Sequence, residues 1–306
     1  MTENQRQGME ILPSIASIVS INPKSPAVQT PIFNHLLALV VKMKFSAFIL
    51  AAAGIVAAAP GTKLIQRNYS PVVPRSSRAR YSSAPNQRLS VDSLNSLEST
   101  GDKNVEYSSN WAGAVKIGTG YNHVTGTITV PEVSGARGAA ASAWVGIDGD
   151  TCQTAILQTG ISFYADGTFD AWYEWIPDYA YNFNNFDVSV GDEIKMTVDA
   201  SSKTKGVATL ENLTTGQKVT HSFTSTPSSL CETNAEWIVE AFQENGSQVT
   251  LADFGTVTFT GATASGSGGS ITAAGSDILD ISPNNGRSVL ADSSVSGSTV
   301  TVKYVG

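Results

Sequence analysis

Histidine, cysteine and basic side chains are scarce in this sequence, and each shortage removes a class of chemistry. The histidines are His35, His123 and His221, none with a second ligand at metal spacing. Neither GxSxG nor HExxH occurs, so a serine nucleophile elbow and a zinc-peptidase helix are not expected. No metal and no cofactor is called for. The cysteines are Cys152 and Cys231. In an exported chain one such pair reads as a disulfide, the alternative being two free buried thiols. If bonded, neither can be a nucleophile. Charged residues make up only 15 % of the chain, and from Tyr107 onward 8 Lys and Arg stand against 20 Asp and Glu. So acidic a body is not expected to bind nucleic acid, which needs clustered cations. Few bases also mean little positive self-repulsion once acid neutralises the carboxylates. Long helical periods are missing as well.

What is present divides the 306 residues into four parts. Met43 to Ala59, MKFSAFILAAAGIVAAA, has a basic start, an apolar stretch and small residues for cleavage. That is the form of a secretory signal peptide, too short to span a bilayer comfortably. Residues 1–42 before it differ in composition and read as a spurious extension, with Met43 the true initiator. Residues 60–106, rich in Ser, Pro and Asn, read as a pro-segment, the alternative being a passive linker; from Gly61 to Val105 they hold 7 basic and 3 acidic residues. A helical turn near Val91–Leu97 is possible there. From Tyr107 to Gly306 short alternating apolar runs recur between Gly, Asn, Asp and Pro. This pattern predicts an all-β antiparallel sandwich or barrel of about 200 residues. Gly261–Gly269, GATASGSGG, reads as a low-complexity surface loop.

Without nucleophile or metal, the candidate chemistry lies in carboxylates and amides on strands. Side chains alternate faces along a strand. Trp144, Gly146 and Asp148 therefore share a face, as do Ile156, Gln158 and Gly160. So do Asp170, Trp172, Glu174 and Ile176, and likewise Glu236, Ile238, Glu240 and Phe242. Buried acids are costly unless paired, so acids among aromatics point to a site. Ion-paired acids on an exposed sheet face remain the other reading.

The stretches SSNWAGAV, AWVGIDGDTCQTAILQTG, DAWYEWIP, GDEIKM, ATLENLTTGQKV and NAEWIVEAF resemble the fungal glutamic peptidases, or eqolisins. The likeness runs through most of residues 107–260. It implies a two-sheet, jelly-roll or concanavalin-like sandwich with the site on one concave face. It implies that Gln158 and Glu240 are catalytic, that Cys152 and Cys231 are bonded, and that Trp111, Trp144, Asp148, Asp170, Trp172 and Glu174 line the groove. The activity implied is a secreted, extracellular acid endopeptidase acting on protein and peptide substrates. It is expected to be a monomer, inhibited by its own pro-segment, with no membrane contact in mature form. The alternative is a glycan-binding or glycan-hydrolysing β-sandwich. A glycosidase would need a second acid where Gln158 stands.

Overall fold

Runs of Val, Ile, Thr and aromatic residues between Gly, Asn and Asp turns become strands throughout. The computed structural model describes residues 81–89 and 105–306, and these hold strands and turns without a helix. The expected extension, signal peptide and most of the pro-segment, including Val91–Leu97, lie outside the described residues. The all-β antiparallel expectation holds. One layer runs in the order Gln217–Phe223, Lys205–Asn212, Glu193–Ser202, Tyr121–Thr129. The other runs Asp277–Ile281, Trp111–Ile117, Asn234–Glu240, Ala140–Ile147, Ile156–Tyr164, Phe169–Ile176. Strand Thr256–Gly266 joins them, pairing with Thr299–Tyr304 in its first part and with Tyr121–Thr129 in its second. Its register shifts between Thr260 and Thr263, where Gly261 has φ 61°. Such a bulge bends a strand from one layer to the next.

This strand corrects the loop expected at Gly261–Gly269. The chain stays extended to Gly266 and returns as Gly269–Thr272. Ala262 and Ala264 alternate inward and are buried. Small residues carry the alternation, and the Gly/Ser content hides it.

Between the layers lies the core. Ala143, Val145, Leu157, Ile161, Trp175, Trp237 and Val239 meet Val124, Ile194, Met196, Val198, Leu210 and Phe259 there. The Trp237 indole N–H donates to the Thr125 carbonyl at 2.8 Å, so the large ring leaves no orphan donor. A second buried cluster lies on the opposite face of the same layer, with Trp111, Trp144, Ile156, Trp172, Ile176 and Ile238. Consequently every residue of Ala140–Ile147, Ile156–Tyr164 and Asn234–Glu240 is buried. Two-sided burial means the outer face of that sheet is covered.

Cys152 and Cys231 are bonded across a separation of 79 residues. Closing a loop of that size restricts the unfolded chain by about 4–5 kcal/mol in the entropic account. Reduction under acid with a phosphine is expected to lower the melting temperature by about 10 °C or more; an unchanged melt would show that the loop ends are held by other contacts.

Candidate active site

Strand register brings the site together. Gln158 sits opposite Glu174 on one side and Gly146 on the other. Trp144 sits opposite Ile238 and Gly160, and Glu240 opposite Ser142 and Trp111. Alternation then turns Trp144, Gln158, Trp172, Glu174, Glu236 and Glu240 to one face. Gly160 must lack a side chain: a Cβ there would lie 2.5 Å from Trp144 Cβ and 2.3 Å from the Ala143 oxygen. Its absence leaves room for Trp144, whose Nε1–H donates to Glu240 Oε2 at 2.9 Å. Trp111 packs edge-on to Trp144 with ring centroids 4.9 Å apart.

Glu240, Gln158 and Glu174 are all fully buried. Gln158 Nε2 donates to Glu174 Oε2 at 2.8 Å, while Gln158 Oε1 has no partner among the described residues. Burial pushes the Glu240 carboxyl up to about 7, against the opposing pull of the Ala84 N–H and Trp144 hydrogen bonds. Burial, and then the Glu240 charge, raises Glu174 well above the ordinary carboxyl range. The two acids therefore favour holding protons in this closed arrangement.

The cover is a strap, residues 81–89, which strand alternation offers no means of locating. Tyr81 and Ser82 pair as a short strand with Glu244 and Gln243. Ser83 N–H donates to Glu174 Oε2 at 3.2 Å and Ala84 N–H to Glu240 Oε1 at 3.0 Å. The Ala84 carbonyl accepts from Trp111 Nε1 and Asn110 Nδ2 at 3.0 and 3.2 Å. Asn110 Oδ1 accepts from Gln87 N–H at 2.9 Å. Farther along, Asn86 Nδ2 and the Arg88 guanidinium reach Asp150, and Arg88 also pairs with Glu106. Asn110 is a site residue that the reading of the sequence misses; its position beside Trp111 in SSNWAGAV is the available signal.

Two expected groove residues end up differently. Asp170 lines a pocket with Ser142, Ser162, Tyr164, Trp172, Asn182 and Phe242, beside Ser82 and Ser83. It accepts from Tyr164 Oη and Asn182 Nδ2, each at 3.0 Å. Asp148 is a correction. It is fully buried and its carboxylate accepts from the backbone N–H groups of Cys231, Glu232, Thr233 and Asn234 at 2.7–3.2 Å. The strand ends at Ile147 and Asp148 has φ 68°, so alternation no longer governs where it points. It anchors the loop leading into the Glu240 strand instead of lining the groove. Glu236 is a further buried acid on the site face, and neither carboxyl oxygen has a partner among the described residues.

The peptidase A4 family model matches residues 109–304 of this chain. The chain belongs to the peptidase A4 family. It is 48 % identical to aspergillopepsin-2 of Aspergillus niger over 287 residues, covering 86 % of this chain and all of that one. It is 49 % identical to scytalidopepsin B of Scytalidium lignicola over 211 residues, covering 66 % and 80 % of the two chains. The crystal structure of scytalido-glutamic peptidase with a transition-state analogue inhibitor superposes with a TM-score of 0.62 at 50 % identity. That match covers 64 % of this chain and 98 % of the other. Aspergilloglutamic peptidase from Aspergillus niger gives 0.52 at 57 % identity, covering 55 % and 99 %. This A4 peptidase is a glutamic endopeptidase, and its substrates are proteins or peptides.

Proposed function

We propose that Glu240 and Gln158 perform the hydrolysis, and that residues 81–89 belong to an inhibitory pro-segment docked in their groove. One hydrogen bond supports both halves: the Ala84 backbone N–H donates to Glu240 Oε1 at 3.0 Å. A leaving amide nitrogen must stand at such an oxygen to receive its proton.

In the open enzyme, ionised Glu240 takes a proton from water as that water adds to the carbonyl carbon. Trp144 Nε1–H occupies Glu240 Oε2, which leaves Oε1 to face the water. Charge gathers on the carbonyl oxygen, and the Gln158 amide donates to it, neutral at every working pH. Collapse breaks the C–N bond, and the protonated Glu240 delivers its proton to the amine. Glu174 positions the Gln158 amide through their 2.8 Å hydrogen bond. Trp111 and Trp172 wall the groove, and the Asp170 pocket takes a substrate side chain on the Ser82–Ser83 side. A carboxylate base with no histidine partner fits work in acid, where an imidazole base would be protonated.

The strap's hold responds to pH in two opposed ways. Arg88 faces Asp150, Glu106 and Asp277, and the attraction between a basic strap segment and an acidic body weakens as acid lowers the body's negative charge. Glu174 and Glu240 act in the other sense. With their carboxyls raised in the closed form, docking takes up protons as pH falls from about 7 towards ~4.5, the ordinary carboxyl range. Below that range both forms are protonated and this gain is constant. Mild acid thus favours docking through these two carboxyls, and release in stronger acid has to come from the weakened attraction at Arg88. The signal-like segment at 43–59 and the disulfide support a secreted, extracellular monomer. The test follows mass and protein digestion together after the full-length precursor is taken from pH 6 to about 3.5, with Glu240→Gln as control. Activity is expected to rise as the strap is released and trimmed. Immediate full activity of the intact chain would overturn inhibition, and normal processing of purified Glu240→Gln would overturn self-cleavage.

A further inference from the structure

A peptide lying along a peptidase groove is ordinarily a substrate, so an intact strap there needs a physical reason to survive. The atoms around Ser83–Ala84 supply one. The Ala84 nitrogen is on Glu240 Oε1, where a leaving amine belongs. Chain direction then makes Ser83 the acyl side, and its carbonyl the group that water would attack. That carbonyl is engaged elsewhere. Its oxygen accepts from Ser82 Oγ at 2.9 Å, the hydroxyl of the residue before it. Gln158 Nε2 meanwhile donates to Glu174, not to any strap carbonyl. The nitrogen half of a productive complex is in place and the carbonyl half is not.

We propose that Ser83–Ala84 is a latent self-cleavage site, kept latent because the Ser82 hydroxyl caps the Ser83 carbonyl and holds it off Gln158. This rests on reading residues 81–89 as a docked pro-segment. The cap has a proton supply. Ser82 Oγ also lies 3.1 Å from Glu174 Oε1, and a single hydroxyl proton cannot serve both oxygens fully. Glu174 Oε2 already accepts from Ser83 N–H and from Gln158. Glu174 is buried next to Glu240 and holds a proton readily, which leaves Oε1 as the hydroxyl. Glu174 Oε1–H then donates to Ser82 Oγ, whose own proton turns to the Ser83 oxygen. Pro85 confines Ala84 to extended conformations, so the cap on the Ser83 carbonyl is what separates this arrangement from a productive one.

Without the cap, the Ser83 carbonyl can rotate to the Gln158 amide. In the fraction of molecules whose Glu240 is ionised, water then adds to the Ser83 carbonyl carbon and gives its proton to that carboxylate. The Ser83–Ala84 C–N bond breaks, and the proton passes from Glu240 to the Ala84 nitrogen. The products are a chain ending in the Ser83 carboxylate and one beginning with the Ala84 amine; water is the only co-reactant.

The experiment compares full-length precursors carrying wild-type Ser82, Ser82→Ala and Ser82→Thr, held at pH 5 at several protein concentrations and read by intact mass and N-terminal sequencing. Ser82→Ala is expected to accumulate a form starting at Ala84 at a concentration-independent rate, about five- to tenfold faster than wild type, the factor one net hydrogen bond supplies. Ser82→Thr keeps a hydroxyl and is expected to behave as wild type. The double variant Ser82→Ala, Glu240→Gln should give no such form. Equal rates for wild type and Ser82→Ala, or cutting of Ser82→Ala only at other bonds, would overturn the cap. A synthetic peptide of residues 79–89 and its Ser82→Ala version, titrated against the acid-activated enzyme, separate the two layers of the reading. If the wild-type peptide does not inhibit, the docked pro-segment itself falls. If both inhibit and neither is cut faster, docking stands and the cap falls. A Ser82→Ala peptide that neither inhibits nor is cut also overturns the cap, which requires binding to survive its removal.

Discussion

Glu240→Gln is expected to leave no measurable digestion of casein at any pH, and Gln158→Ala to lower kcat by ~10²–10³, the usual cost of one oxyanion donor. The two losses have different causes. An amide at position 240 can neither take a proton from water nor hand one to the amine, so both halves of the reaction stop. Truncation at 158 leaves Glu240 competent but removes the donor at the developing charge. Neither change should unfold the chain. Glu240→Gln is nearly isosteric, and an amide oxygen can still accept from Trp144 or Ala84, which both donate to Glu240. Among the described residues the Gln158 side chain makes one hydrogen bond, to Glu174, and its other polar atom has none. Glu174→Gln should be milder, because that residue holds the Gln158 amide and does not touch the reacting bond. Melting curves on each variant separate lost chemistry from lost fold. If Gln158→Ala keeps near-normal turnover while Glu174→Gln is dead, a Glu174–Glu240 carboxylate pair is responsible and the assignment is wrong.

The groove was legible in the sequence because strand alternation is local. Gln158, Glu174, Trp144, Trp172 and Glu240 reach one face through a period of two, and the period survives burial on both sides. Asp148 shows where the rule stops: one residue past the strand end, a backbone at φ 68° turns the carboxylate into a neighbouring loop. The strap was legible only as charge. Its residues, Ser82 to Arg88, are small or polar and carry no period. Their conformation comes from the groups they meet, Glu174, Glu240, Asn110 and Asp150, which lie from 23 to 156 residues away in sequence. A net charge difference indicated attraction between the two segments; it could not say that Arg88 supplies the contact, nor that two backbone N–H groups cover both acids.

Buried acids that hold protons make the fold itself an acid-dependent object, and stability is expected to fall steeply between pH 4 and 8. Burial drives Asp280 up to about 7, as it does Glu240, and raises Glu236 well above the ordinary range, with Asp148 and Asp150 adding to the effect. The sign is set by proton binding. A carboxyl whose folded value lies above its unfolded one binds more protons when folded, so its contribution is complete below ~4 and is lost as pH rises through the folded value. For Glu240 and Asp280 that amounts to on the order of 3 kcal/mol each, against a total stability of roughly 5–15 kcal/mol for a domain. Melting temperature should therefore drop by about 10–20 °C between pH 4 and pH 8. Glu236 is the position that isolates the effect, since it lies outside the proposed chemistry and neither of its oxygens has a partner among the described residues. Glu236→Gln stays neutral at every pH. It is expected to melt within a few degrees of wild type at pH 4 and clearly above it at pH 7. A wild-type maximum at neutral pH, or a Glu236→Gln curve parallel to wild type throughout, would mean that this carboxyl ionises inside the fold without cost.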